Sequence, residues 1–136
     1  MRFMLIVYPK IYETAKAGWL PDLDDESAEN YAEELRKGGV LVALTGLTPP
    51  ATMSARLTVE NGKVKVVDGP FPEAKEVIGG IWIIDVQSRD EALKYASRIP
   101  GPGSETVEVR RLFDPSDFGP EMQKKFAEAG AKMGAL

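Results

Sequence analysis

Three continuous apolar runs set the tightest limit on what this chain can fold into. They are residues 2–8 (RFMLIVY), 40–47 (VLVALTGL) and 78–86 (IGGIWIIDV). Each has strand length, and Pro9 and the Pro49–Pro50 pair stop the first two. Runs that do not alternate with polar residues suit central strands covered on both faces. What lies between them is helical. In residues 25–37 (DESAENYAEELRK), Ala28, Tyr31, Ala32 and Leu35 recur at helical spacing, with acids in the first turn and Arg36 and Lys37 in the last. Gly38 and Gly39 stop this helix. Residues 88–99 form a second helix, with Ser88 and Glu91 spaced as a capping box and Pro100 at its end.

Two further segments complete the pattern. Residues 54–68 (SARLTVENGKVKVVD) read as a hairpin turning at Asn61-Gly62, with Leu57, Val59, Val64 and Val66 alternating against polar neighbours. Residues 105–113 (ETVEVRRLF) alternate Val107 and Val109, as a half-exposed strand does. The order is β-α-β-hairpin-β-α-β, which predicts a ferredoxin-like α+β sandwich. Residues 1–113 form that domain. Residues 114–136 form an extension whose Phe118, Met122, Phe126, Ala129 and Met133 fall at helical spacing. Docking on its own domain, reaching a second subunit and a frayed end all fit this segment. Residues 9–24 read as a loop anchored by Trp19 and Leu20.

A ferredoxin-like sheet carries its helices on one face. The first strand offers Phe3, Leu5 and Val7 to one side and Met4, Ile6 and Tyr8 to the other, so the second face also needs cover. A copy of the same face is the economical solution, which predicts a homodimer with sheets facing each other. At 136 residues one core is large enough to hold the chain without staples.

Composition narrows the chemistry. There is no cysteine and no histidine, which removes thiolate nucleophiles, histidine-based triads and the usual zinc ligand sets. No cofactor is expected. Net charge is −4, so the chain is expected to repel nucleic-acid phosphates. No run reaches transmembrane length and the N-terminus lacks a signal-peptide pattern, so a cytoplasmic location is expected. The acidic group Asp22, Asp24, Asp25 and Glu26 reads as a solvated helix start and not as a metal site.

Acid–base chemistry would then fall on carboxylates, lysines or tyrosines. The segment VVDGPFPEAKEVIGG (66–80) concentrates them. Asp68 ends a strand, Gly69 and Pro70 shape the turn, and Phe71 is an apolar anchor. Asp68 has two readings, an acid or base at the rim of a cleft or a turn residue bonded to its own loop. Lys75 would tune its charge in the first case. Arg56 on the hairpin and Arg110 on the last strand are candidate anion binders, and Tyr8 and Trp19 candidate pocket walls. Each also fits an ordinary exposed or core position.

Together FMLIVY, GGVLVALTGLTPP, VVDGPFPEAKEVIGGIWIIDVQSRDEALKYASRIPG and VEVR resemble the YCII-related family, in its DGPF branch, over residues 2–111. The resemblance implies a ferredoxin-like dimer with face-to-face sheets, consistent with the element order. It implies little about activity, since most members are uncharacterised. A related branch carries a His–Asp pair proposed for catalysis, which a chain without histidine cannot reproduce. Asp68, Glu73, Lys75 and Glu76 transfer by position. Ala74 replaces a threonine usual in the branch, and Arg111 a proline. The expected function is binding of a small molecule in a cleft near the DGPF loop, with Glu73 among its contacts. The alternative is a lyase, isomerase or hydrolase type of enzyme using Asp68 with Lys75 and an arginine.

Overall fold

The computed structural model describes residues 1–22, 24–71, 76–101 and 103–133. Among these residues, six strands and three helices follow in the expected order: β1 (Arg2–Pro9), α1 (Ser27–Lys37), β2 (Leu41–Gly46), β3 (Ala55–Glu60), β4 (Lys63–Asp68), β5 (Gly80–Asp85), α2 (Arg89–Ala96), β6 (Glu105–Arg111) and α3 (Pro120–Met133). Short 3-10 turns occupy Lys10–Glu13 and Pro115–Asp117. The main sheet runs β2-β5-β1-β6 with every neighbouring pair antiparallel. This is the ferredoxin-like arrangement, with β3 and β4 inserted as a separate two-stranded sheet.

Alternation along the strands sorts the two faces. Phe3, Leu5 and Val7 of β1 join Trp82 and Ile84 of β5 on the helix-covered side, packed against Tyr31, Leu35 and Ala92. Two polar contacts tie the helices together over this core. The Tyr31 hydroxyl donates to the Tyr95 carbonyl (2.7 Å), and Arg98 grips Glu34 through Nη2 at 2.7 and 3.0 Å. Trp82 is a core residue, 4% exposed and tilted against Tyr31.

The opposite face, for which a second copy is the expected cover, stands partly open within one chain. Met4, Ile6 and Tyr8 are only half-buried. They lie across from Ile83 and Ile81 of β5 and from Arg110, Glu108 and Thr106 of β6. Ile83 is nonetheless buried. The helices of the core cluster belong to the other face.

The hairpin pairs in the expected register, Leu57 opposite Val66 and Val59 opposite Val64. Its turn has Asn61 at φ 51° and Gly62 at φ 76°, the pair of left-handed residues that matches strand twist. The apolar stripe is exposed, however, from 57% at Leu57 to 63% at Val59.

Local ends differ from expectation for identifiable reasons. Helix α1 starts at Ser27 and not at residue 25, because Asp25 Oδ1 accepts from both the amide (3.0 Å) and the hydroxyl (2.5 Å) of Ser27. The Ser88 hydroxyl accepts from the Glu91 amide, but the Glu91 carboxylate returns to the Gln87 amide. Half of the capping box is thus shifted by one residue. Leu20 is 72% exposed and anchors nothing.

In the extension, Phe118 stacks between Phe113 (5.3 Å) and Phe126 (4.9 Å), and the principal partner of α3 is the Pro115–Asp117 turn. Among the described residues no helix is long and apolar enough to cross a membrane.

Candidate functional site

The chain leaves β4 at Asp68 and passes through Gly69, Pro70 and Phe71 before β5. Gly69 is held by its amide, which donates to the Ser54 carbonyl (2.7 Å). A side chain there would collide with the Pro50 carbonyl oxygen and meet Ser54 Cβ at 3.1 Å. This glycine therefore serves close packing between the loop and the segment joining β2 to β3. The Gly69–Pro70 peptide is cis.

On the far side of the loop, Gly79 exchanges backbone bonds with two strands. Its amide donates to Val7 (2.8 Å) and its carbonyl accepts from Leu47 (2.9 Å). A Cβ on Gly79 would sit 2.6 Å from Pro9 Cδ and 3.1 Å from the Tyr12 ring. Gly79 thus lets the turn after β1 pass directly against the start of β5, while Gly80 sits close to the Thr45 carbonyl of β2. The close approach at Gly79 seats Tyr12, whose hydroxyl donates to the Leu47 carbonyl (2.8 Å).

Three clefts open around this contact. The first, about 380 Å³, lies between the hairpin base and the loop, with Arg56, Ser54, Phe71, Glu76 and Ile78 in its walls. The second, about 370 Å³, lies under the turn after β1 and is lined by Tyr12, Lys16, Pro70 and Phe71. The third, about 390 Å³, opens between the ends of β1 and β6 beside Tyr8, Lys10, Glu76 and Glu105. Val77 borders all three. Each has the volume of a small-molecule site.

The sequence-predicted residues fall unevenly around them. Arg56 lines the first cleft, its guanidinium 4.3 Å above the Phe71 ring. Phe71 itself is half-buried. Tyr8 lines the third cleft. Burial lifts its phenol above the ordinary value, and Glu108 and then Glu76 add to that while Arg110 opposes it. Burial also raises the Tyr12 phenol. Arg110 stands on the open sheet face, 3.7 Å from Glu108. Trp19 packs edge-on at 5.2 Å against Tyr12, which lines the second cleft, and is not itself among the lining residues of the three clefts. Asp68 is exposed at the hairpin base, opposite Ala55, and among the described residues its carboxylate has no hydrogen-bond or ion-pair partner. Glu73 and Lys75 lie outside the described residues. Tyr12 and Val77 are the site residues that sequence reasoning missed. Tyr12 carried a weak signal, as an aromatic within a loop otherwise rich in small and charged residues.

Residues 1–116 match the family model of the YCII-related domain. An uncharacterised protein of Rhizobium meliloti (strain 1021) is 32% identical over 113 residues, covering 78% of this chain and 90% of that protein.

Proposed function

The chain belongs to the YCII-related domain family, and from that premise we propose that it works as a homodimer that binds a small molecule beside Phe71, Glu76 and Val77. One observation carries the binding reading: the three clefts converge on the segment flanking the Asp68–Phe71 string. The string itself supports placement in the DGPF branch. Binding sites are concave and set polar groups among apolar walls, and the first cleft places Phe71, Val77 and Ile78 beside Arg56, Ser54 and Glu76.

Dimerisation is supported by surface. A compact monomer of 14.9 kDa exposes about 7,000 Å². This chain exposes 10059 Å². The excess, about 3,000 Å² on one chain, is more than the roughly 1,000–2,500 Å² per partner that obligate homodimers bury, so the projecting hairpin and C-terminal helix account for part of it. The open sheet face and the hairpin stripe supply apolar surface for a dimer.

Proton transfer by Asp68 is the weaker reading. A catalytic carboxylate needs neighbours that set its charge and hold it toward a substrate. Among the described residues none hydrogen-bonds or ion-pairs with the Asp68 carboxylate, and Lys75 lies outside them. A thermal-shift screen of the full chain against small polar and aromatic compounds tests the binding reading. Compounds that raise Tm in proportion to their occupancy are expected. A library without one stabilising compound contradicts it.

A further inference from the structure

Arg56 differs from most arginines in the chain. Arg2, Arg36, Arg98, Arg110 and Arg111 each lie within ion-pair distance of a carboxylate. Among the described residues no carboxylate lies that close to Arg56. Its cation rests instead on the face of Phe71, 4.3 Å from the ring centroid. A stacked guanidinium spends its face on the ring and keeps its edge N–H donors, arranged as a planar fork that matches a carboxylate.

The surroundings narrow the ligand further. Phe71, Val77, Ile78 and Leu47 present hydrocarbon beside that fork, with the Ser54 hydroxyl near the hairpin base. Glu76 lines the same cleft without pairing to Arg56. A second negative charge on the ligand would meet Glu76, which disfavours dicarboxylates and phosphates. The cleft, about 380 Å³, lies near the lower end of the roughly 300–1,000 Å³ common for ligand sites. We propose that this cleft takes a small monocarboxylate with an aromatic or branched apolar body, its carboxylate held by Arg56 and its body against Phe71 and Ile78. The inference rests on the reading that the cleft binds a small molecule.

The position of Arg56 in the hairpin keeps this site apart from the stripe assigned to the dimer. Arg56 pairs across from Val67, and Leu57 from Val66. Alternation sends Arg56 and Leu57 to opposite faces, so a substitution of one leaves the other face intact.

The test measures binding of short phenyl- and alkyl-substituted monocarboxylates to the full chain, by thermal shift and calorimetry. Each acid is set beside its primary amide and a matched dicarboxylate. The acids are expected to bind at least about tenfold more tightly than their amides, the scale of one charge-assisted contact, and more tightly than the diacids. Arg56→Gln is expected to erase the preference for acid over amide while lowering the ligand-free Tm by only a few degrees, the effect of losing one exposed cation–π contact. Arg56→Lys is expected to keep part of it. Equal binding of acid and amide, or an acid preference that survives Arg56→Gln, overturns the inference. Stabilisation by amides alone also overturns it, yet leaves the cleft reading standing. Stabilisation by no compound of any charge overturns both.

Discussion

Gly69 owes its identity to residues of another loop. Its φ is not left-handed; what excludes a side chain is the carbonyl of Pro50 and the flank of Ser54. Gly69→Ala is therefore expected to push the loop off the β2–β3 connection and destabilise the fold by on the order of 1–3 kcal/mol, the range for overpacking a tight contact. Urea unfolding of the two proteins measures it, and an unchanged midpoint contradicts it.

Asp114 and Asp117 form a reciprocal cap beside Arg111. The Ser116 amide and hydroxyl hold the Asp114 carboxyl below the ordinary carboxylate range. Arg111, at 2.7 Å, and the Asp114 amide do the same for Asp117. Folded values below the unfolded ones mean that the cap stabilises fully above the ordinary carboxylate pKa and is lost as pH falls through the depressed values. Carboxyl NMR titration is expected to show both midpoints low, and Arg111→Ala to raise that of Asp117 more than that of Asp114. Midpoints at the ordinary value would contradict the cap.

At the scale of elements, the hairpin raises the sharpest question. A two-stranded sheet alone is marginal in water, and this one leaves Leu57, Val59, Val64 and Val66 more than half exposed. Their alternation and the Asn61-Gly62 turn were legible in the sequence because both depend on local backbone rules. That the stripe lacks cover within its own chain was not legible, because one chain's pattern does not name the surface that buries it. On the dimer proposal, Leu57→Glu is expected to shift the chain toward monomer in sedimentation velocity, while Thr58→Glu on the other face leaves it dimeric. Identical behaviour of the two variants contradicts a role for the stripe in self-association. Helix ends show the same limit on a smaller scale. The 3.6-residue period placed α1, whereas its start depended on the Asp25 side chain bonding Ser27.

For the whole molecule, the order of strands and helices follows from the apolar runs and their spacing, and the ferredoxin-like sheet follows from that order. The site was only half legible. Arg56 stood out by type and Phe71 by its neighbours in the 66–80 segment, but their stacking joins β3 to a distant loop. Tyr12 became a wall residue only because Gly79 lets the turn after β1 pass against the start of β5. Both are long-range contacts, and periodicity carries no record of them. Asp68, the most conspicuous charge in its segment, turns out to be exposed and unpaired among the described residues.

On the proposed function, ligand recognition lies where the three clefts meet. Backbone-amide NMR of the full chain, titrated with a compound that raises its Tm, tests this most directly. The largest shift changes are expected to cluster on Ser54, Arg56, Phe71, Glu76, Val77 and Ile78. Changes centred on the exposed faces of α1 and α2, with those six amides unmoved, would contradict it.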